Sequence, residues 1–288
     1  MLSAVAALLP VLALAGAPVV VLESGVAPYR IAAQAAEKQL PGAIEVSPDD
    51  PALAAKLKDA PVVVAVGRPS LKAARAHVSA KPVIFCMVLG VTRVDLSGMV
   101  TGIPLEPSPN ELLHRIRTVV PNAKNVGVVY DPHQSGYYIE RAKTSAGAEG
   151  LTLYVAPVKD GAAARDAVDA MLGKVDALWL PPDVKLFTRE LSTYILAKAS
   201  ENRLPLFGFL ETYTDDGALA AVSSNYADAG DRAGKLAAQL AAKPEGERLP
   251  VPPPSYAPGD LSINLRTARA LGIDVPQVAL AGAVKVVR

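Results

Sequence analysis

The chain has 288 residues, of which 51% are hydrophobic and 20% charged, and its formal net charge is +1. This balance excludes an intrinsically disordered chain. The absence of a long run of lysine or arginine argues against nucleic-acid binding and against membrane attachment through a polybasic patch, and the length suits two α/β lobes of ordinary size.

The first 17 residues, MLSAVAALLPVLALAGA, form an apolar stretch without charged side chains that ends in small residues. This pattern predicts a secretory signal that is cleaved after Ala17. The alternative interpretation is a buried N-terminal helix or strand. Because no cysteine follows the small residues, as it would in a bacterial lipoprotein, the sequence predicts a soluble exported protein, periplasmic in a bacterium with two membranes.

From Pro18 onward, short β-branched runs alternate with alanine-rich helical stretches. Continuous apolar strands, rather than alternating ones, are typical of a parallel sheet that is covered on both faces. Cys86, the one cysteine of the chain, falls in such a run and is predicted to be a buried, inert thiol. In this first part, strands are predicted at residues 19–22, 43–46, 61–66, 82–88 and 99–103, and helices at residues 31–37, at 51–57 and from 71.

The same alternation then starts again. A helix is predicted at residues 110–119, strands at 125–130, 151–155, 177–180, 204–207 and 218–222, and a helix at 228–242, with a strand at 261–265 and a helix at 267–271 closing the chain. Two successive rounds of about five strands predict an α/β fold made of two doubly wound parallel-sheet lobes joined by a hinge.

Ligands of open parallel sheets bind outside the carboxyl ends of the strands, where the strand order reverses. The loops that directly follow predicted strands are therefore the candidate ligand-binding segments. Glu23 and Ser24 lie in the first of these loops and are predicted ligand contacts. The loops comprise residues 23–25, 67–70, 89–92, 131–135, 181–185, 208–212 and 223–226.

Five segments of the chain match a known family in order and spacing. They are PNAKNVGVVYDP at 121–132, KVDALWLPPD at 174–183, LPLFG at 204–208, GALA at 217–220 and SINLRTARALGI at 262–273. Together these segments resemble the tryptophan/tyrosine-type family of ABC transporter substrate-binding proteins. The resemblance covers residues 61–288, and the first βαβ section of the chain is shorter than is usual in the family.

The resemblance implies a type I periplasmic-binding-protein fold, with three crossings between the lobes and an amino acid or related small carboxylate in the cleft. By this analogy the first lobe takes residues 18–103 with about 226–248. The second lobe takes residues 104–225, with a hinge-crossing tail at about 249–288. The chain is expected to act as a monomer that closes around its small-molecule ligand and docks on an ABC permease in the membrane.

Two residues after the third predicted strand suit an anionic group. Ser70 is predicted to cap a helix and to leave backbone N–H groups as a seat for a carboxylate, with Arg68 beside it as a charge-assisted partner. The family usually has a small hydroxyl residue where Arg68 stands, so this departure favours an anionic ligand. The alternative for Arg68 is a solvated loop charge.

In the second lobe, the resemblance implies polar contacts from the loop at 131–135. His133 lies in this loop, and Gln134 and Ser135 are predicted hydrogen-bonding partners of the ligand, with helix capping as the alternative. Asp183 matches an acidic position that receives a ligand amino group in the family. Its alternative is also a capping role.

Three departures from the family pattern remove polar groups from the cleft. Leu210 stands where an aspartate is usual before Glu211, LGV at residues 89–91 replaces a Ser-Asp-Pro-like turn, and Asn225–Tyr226 replaces an Asp-Tyr-like pair. Glu211, Asn225 and Tyr226 remain predicted ligand contacts. The departures favour a less cationic and more apolar or anionic solute than an ordinary α-amino acid.

Catalysis, a cofactor and a metal are not expected. The three histidines, His77, His114 and His133, lack metal-ligand spacing, and neither a Gly-x-Gly-x-x-Gly phosphate loop nor a Gly-x-Ser-x-Gly elbow is present. Two alternatives stay open. One is a sensing or scaffolding envelope protein of the same fold without transport, and the other is a hydrolase or transferase that uses His133 as base and Ser135 as nucleophile.

Overall fold

The computed structural model describes residues 16–91, 94–248 and 250–288, so nearly all of the predicted leader lies outside the described residues. Two sheets, each with helices against both faces, make up the described chain. We call the five-stranded sheet and its helices the first lobe, and the seven-stranded sheet and its helices the second lobe. In these described ranges, no helix is both long enough and apolar enough to span a membrane.

The first lobe has a wholly parallel sheet with the strand order β2-β1-β3-β4-β5. Its strands are β1 (Val19–Leu22), β2 (Ile44–Val46), β3 (Val63–Val66), β4 (Val83–Val88) and β5 (Val100–Pro104). Its helices are α1 (Ala27–Lys38), α2 (Leu53–Lys58), α3 (Arg68–His77) and α9 (Tyr226–Ala241).

Both faces of this sheet are buried at β1, β3 and β4, which explains why these three strands are continuous apolar runs. Val20 and Leu22 of β1 pack with α1 and α9, whereas Val19 and Val21 point to the opposite face and pack with α2 and α3. Side chains alternate between the two faces of a strand, so a strand that is covered on both sides has no polar positions.

Helix α9 follows the tenth strand in the sequence but packs in the first lobe. It lies along α1 and against β3, β4 and β5. Asp231 of α9 accepts a hydrogen bond from Gln39 Nε2 at 2.8 Å. This packing supports the predicted assignment of residues 226–248 to the first lobe, and the lobe boundaries themselves remain predictions.

The second lobe has the strand order β12-β11-β10-β9-β8-β6-β7. Its strands are β6 (Asn125–Tyr130), β7 (Thr152–Pro157), β8 (Ala177–Trp179), β9 (Leu206–Gly208), β10 (Ala220–Ser224), β11 (Gly259–Asn264) and β12 (Ala283–Val287). Its helices are α4 (Pro109–Val119), α5 (Pro132–Ala146), α6 (Gly161–Met171), α7 (Arg189–Glu201), α8 (Thr212–Asp215), α10 (Leu265–Leu271) and α11 (Gln277–Ala281).

The second sheet is parallel except for one pair of strands, since β11 runs antiparallel to β10. The prediction that α10 closes the chain is wrong, because α11 and the edge strand β12 follow it. Strand β12 is only partly buried and carries Lys285 at its centre, so it lacks the continuous apolar pattern of strands such as β1 and β3.

The chain passes between the lobes after β5, after β10, and between α9 and β11. The third connection runs beside β5. Thr101 Oγ1 donates to the carbonyl oxygen of Pro252 at 2.5 Å, and Ser255 N–H donates to that of Gly102 at 3.1 Å. The chain thus crosses between the lobes three times, as the resemblance implies, and we call the three crossing segments the hinge.

The burial of Cys86 leads to a prediction about its reactivity. The residue is wholly buried in β4, and burial raises the pKa of its thiol to about 12. Because only a thiolate reacts readily, we expect no modification by Ellman's reagent in the native protein at pH 8 and one equivalent after denaturation. Rapid labelling of the native protein would contradict this packing of β4.

Candidate ligand-binding site

The strand order of each sheet reverses at one point. In the first sheet β2 and β3 lie on opposite sides of β1, and in the second sheet β7 and β8 lie on opposite sides of β6. The loops after β1, β3, β6 and β8 therefore emerge where open α/β sheets bind ligands. Two adjoining cavities lie between the lobes beside these loops.

The first of them, the apolar cavity, has a volume of about 170 Å³. The first lobe, with Tyr226 of α9, contributes six lining residues, the second lobe, with Ser224 of β10, contributes five, and the connection after β5 contributes three. The lining consists of Val26, Pro28, Tyr29, Met87 and Leu89, of Pro182, Val184, Phe209 and Leu210, and of Leu105, Glu106, Pro107, Ser224 and Tyr226. An apolar cavity of about 150 Å³ accommodates a benzene-sized molecule, so this one has room for a ring or a branched aliphatic group.

Met87 reaches this cavity through an irregularity of β4. Its φ is 59°, and the register between β4 and β5 shifts between Cys86 and Val88. A residue in the left-handed region costs about 1–2 kcal/mol, and bulges of this kind redirect a side chain near binding sites. Met87 therefore lines the cleft while it also packs in the first-lobe core, where it is 2% exposed.

The second cavity, the charged cavity, has a volume of about 320 Å³. It shares Leu89, Pro182 and Val184 with the apolar cavity, so one ligand can occupy both. Its other lining residues are Arg68, Gln134, Asp183 and Lys185. The cleft thus combines an apolar end with a charged end.

Arg68 is held at the mouth of the charged cavity by the loop after β4. Its Nη2 donates to the carbonyl oxygen of Leu89 at 2.5 Å and to that of Gly90 at 3.5 Å. Gly67, just before it, has a φ of 86°, and a Cβ there would lie 2.5 Å from the Tyr29 ring. Only glycine fits at this turn, which directs Arg68 into the cleft.

Glu106, in the first connection between the lobes, fixes the same loop from the other side. Its carboxylate accepts the N–H of Gly90 at 3.0 Å and the N–H of Val91 at 3.1 Å, and the residue is 5% exposed. Nearby, the Tyr138 hydroxyl donates to the Pro107 carbonyl at 2.8 Å. The position of Arg68 is therefore linked, through Gly90, to the hinge.

Asp183 is 2% exposed and follows β8 at the switch point of the second sheet. Its Oδ1 accepts the N–H of Lys185 at 3.1 Å and that of Leu186 at 3.0 Å, and Ser135 Oγ donates to Oδ2 at 3.5 Å. Its carboxylate thus caps the turn after β8, which is the alternative the sequence left open for it.

The tyrosines of the cleft act as neutral polar groups. Burial raises the pKa of Tyr29, with a further contribution from the Glu23 carboxylate, and burial likewise raises that of Tyr226, with a contribution from Glu211. Burial together with Glu106 raises the pKa of Tyr256 to about 12. These hydroxyls stay protonated at neutral pH and offer hydrogen bonds without charge.

Of the predicted contacts, Arg68, Gln134, Asp183 and Tyr226 line the two cavities. Ser135 lines a small adjoining space of about 10 Å³. His133 and Ser24 are exposed, Glu23 is half-buried beside Tyr29, and none of these three lines a cavity in the described structure.

The predicted capping role of Ser70 is wrong. Helix α3 begins at Arg68 after Gly67, with Pro69 in its first turn, so Ser70 lies inside the helix and is fully buried. Pro69 has no N–H, which removes one of the backbone donors expected at this helix start. The carboxylate seat that the sequence suggested at Ser70 is therefore not formed, and Arg68 is the exposed donor in its place.

Two further predicted contacts are engaged elsewhere. Glu211 forms an ion pair with Lys285 of β12 at 2.8 Å. Asn225 caps α9, since its Oδ1 accepts the N–H of Asp228 at 2.8 Å and its Nδ2 donates to Asp260 at 3.3 Å. Their polar atoms hold local structure at the edge of the cleft.

Sequence reasoning missed several lining residues, among them Tyr29, Met87, Glu106 and Phe209. Tyr29 lies in α1, seven residues after the end of β1, and Glu106 lies two residues after the end of β5. Phe209 lies in the predicted loop 208–212 but reads as a core residue. The proline-flanked segment IPLEP at 103–107, with one acidic residue between two predicted elements, was the available signal for Glu106.

A larger groove of about 710 Å³ lies on the second lobe between α7, α8 and α10. It arises because α8 has only four residues and leaves one side of α7 uncovered. Every residue that lines it in the described structure belongs to the second lobe, so closure of the lobes does not enclose a molecule there. In the described ranges, no group of three or more histidine, cysteine, aspartate or glutamate residues is placed to hold a metal ion.

Comparison with known proteins gives a family and relatives. The family described as ABC transporter substrate binding protein matches residues 47–287. The tyrosine-binding protein of Clostridioides difficile (strain R20291) is 26% identical over 221 residues, which are 73% of this chain and 62% of the relative. The match therefore spans less than two thirds of that relative's length.

Solved structures share the fold at low sequence identity. A ligand-free, open structure of a substrate-binding protein with adhesive properties from Clostridium difficile has a TM-score of 0.73 and 19% identity, covering 94% of this chain and 98% of that one. An ABC domain in complex with L-Trp from Streptococcus pneumoniae has a TM-score of 0.61 and 21% identity, covering 94% and 100%. The predicted fold class, two doubly wound α/β lobes of the type I periplasmic-binding-protein kind, is confirmed.

Proposed function

Because the chain belongs to the family of ABC transporter substrate-binding proteins, we propose that it binds a small carboxylate with an apolar body between its lobes. The observation that carries this proposal is the pair of adjoining cavities, one apolar and ring-sized, the other with Arg68 at its mouth. An apolar body with a few directed polar contacts is the usual composition of a small-molecule site.

The names of two relatives suggest where to begin among such ligands. One relative is called a tyrosine-binding protein and another was solved with L-Trp. Aromatic amino acids carry an apolar ring, which suits the apolar cavity, and a carboxylate, which suits the charged cavity. Large aliphatic amino acids and small aromatic carboxylates meet the same requirement.

Delivery to a membrane permease is the second part of the proposal. The protein is exported by the leader at residues 1–17, acts as a monomer, and docks on the permease when ligand has closed it. Closure follows from contacts that a ligand makes with both lobes at once, here Met87 and Leu89 on one side and Phe209 and Val184 on the other.

Binding without chemistry is the simplest function of this cleft. The Ser135 hydroxyl, the nucleophile of the hydrolase alternative, is buried and donates to Asp183 Oδ2, and His133 is exposed. Turnover of a ligand that is lost on His133→Ala would establish the hydrolase instead.

A thermal-shift screen of the mature protein against amino acids, small carboxylates, nucleosides and sugars tests this function. A ligand at 100 times its Kd stabilises the native state by about 2.7 kcal/mol, or roughly 5 °C for a chain of this size. We expect such a shift with apolar carboxylates. A shift confined to nucleosides or sugars, or none at all, would contradict the proposal.

A pair of variants locates the effect. Val184 is 61% exposed and lines both cavities but not the groove beside α7, whereas Val284 is 62% exposed and lines none of the three. We expect Val184→Trp to fill the cleft and abolish the shift, and Val284→Trp to keep it. Equal shifts in both variants would place the ligand outside the cleft.

A further inference from the structure

The charges that reach the cleft are mostly positive. Among the described residues that line the two cavities, the exposed charged ones are Arg68 and Lys185. Both lie in the charged cavity, beside the opening to the apolar one. A carboxylate that enters the cleft meets these cations directly.

The two lining carboxylates, in contrast, are turned into the protein. Asp183 is 2% exposed and accepts two backbone N–H groups and the Ser135 hydroxyl. Glu106 is 5% exposed and accepts one backbone N–H on each oxygen. These donors stabilise the two negative charges in the ligand-free protein.

Two other acidic residues near the cleft, Glu211 and Glu23, do not line either cavity as described. Glu211 pairs with Lys285 at the cleft edge, and the residue before it, Leu210, presents an apolar side chain to the cavity. Glu23 lies beside Tyr29 but does not line either cavity as described. The remaining polar groups of the apolar cavity are neutral hydroxyls, on Tyr29, Ser224 and Tyr226.

This distribution of charge in the cleft affects the carboxylate and the ammonium group of an amino acid differently. Its carboxylate gains charge-assisted bonds in exchange for lost hydration. Its ammonium group loses hydration in a cleft whose other accessible side-chain polar groups are hydroxyls and the Gln134 amide, all uncharged. A desolvated charge without a counter-charge is costly. The ammonium therefore adds little or nothing to binding.

We infer that this cleft recognises its ligand by the carboxylate and the apolar body alone, so that carboxylates without an amino group bind at least as well as the matching amino acids. The inference rests on the proposed function and extends its ligand class to amine-free apolar monocarboxylates such as arylpropionates or branched short-chain acids.

Titration calorimetry with matched compounds tests the inference. L-Phenylalanine, 3-phenylpropionate and 2-phenylethylamine share one ring and differ only in their charged groups, and L-leucine with 4-methylpentanoate forms an aliphatic pair. We expect 3-phenylpropionate or 4-methylpentanoate to bind within threefold of its amino acid or more tightly, and 2-phenylethylamine to bind at least 30-fold more weakly.

The outcomes separate the inference from the function it rests on. An amino acid that binds more than tenfold tighter than its amine-free partner would overturn the inference and leave the proposed function standing. If neither member of either pair binds, both are overturned. Tight binding of 2-phenylethylamine alone would also overturn both, since the cleft would then select cations.

A variant of Asp183 tests independently whether this carboxylate pairs with the ammonium group of an amino acid. Asp183→Asn keeps an oxygen that can accept the backbone N–H groups but removes the negative charge. We expect the ratio of the Kd for L-phenylalanine to that for 3-phenylpropionate to change by less than threefold. A tenfold rise of this ratio would show an ion pair between Asp183 and the ammonium, and the ratio is unaffected by any general loss of stability.

Discussion

Replacing Arg68 by alanine is expected to weaken the binding of an apolar carboxylate by about 10- to 100-fold. Hydrogen bonds to a charged partner contribute about 1.5–3 kcal/mol, and a bidentate guanidinium–carboxylate pair lies toward the upper end. Arg68→Lys should recover only part of the loss, because an ammonium group cannot form the planar pair. Titration calorimetry of both variants measures the effect.

A matched control lies on the same helix. Lys72 is exposed, stands one turn after Arg68 in α3, and lines neither cavity as described. Lys72→Ala removes the same charge from the lobe and should change affinity by less than twofold. Equal effects of the two substitutions would mean that only the overall charge matters, which contradicts a direct contact at Arg68.

Replacing Gly230 by alanine is expected to destabilise the first lobe by about 3 kcal/mol or more. A Cβ at Gly230 would lie 2.0 Å from the carbonyl oxygen of Ala32, and one at Gly234 would lie 2.5 Å from that of Ala36. These neighbours are backbone atoms of α1, so helices α1 and α9 must separate to make room. Overpacking of this kind typically costs 1–3 kcal/mol even where side chains can adjust.

The measurement is thermal unfolding followed by circular dichroism, with Gly147→Ala as control. Gly147 has a φ of −60°, and a Cβ there meets no atom within 4 Å. The control should keep its Tm within about 2 °C, whereas Gly230→Ala should lose roughly 6 °C or more. A small effect at Gly230 would contradict the close packing of α9 on α1, and with it the assignment of α9 to the first lobe.

Much of the fold follows from local pattern. Strands β1, β3, β4 and β6 are predictable since a strand that is buried on both faces is a continuous apolar run between turn residues. The switch-point rule then selects the loops that carry Arg68 and Asp183 before any coordinates are known. Burial on both faces is thus a strong local signal.

The remaining features depend on contacts between distant residues. The pattern around Ser70 fits a cap, but the helix begins three residues earlier, after Gly67 with its positive φ, and the Ser70 hydroxyl is buried. The bulge at Met87 interrupts a run that reads as a regular strand. The role of Glu106 depends on a loop 15 residues away, and β12 is an edge strand whose exposed face weakens its pattern.

The central claim is that the cleft between the lobes, and not the groove beside α7, holds an apolar carboxylate. A crystal structure of the protein with the tightest ligand from the thermal-shift screen tests it most directly. We expect the apolar group of the ligand to lie among Tyr29, Met87 and Phe209, and one of its carboxylate oxygens to lie within about 3.2 Å of an Arg68 nitrogen. A ligand in the groove between α7 and α10, or one in the cleft with its carboxylate turned away from Arg68, would contradict it.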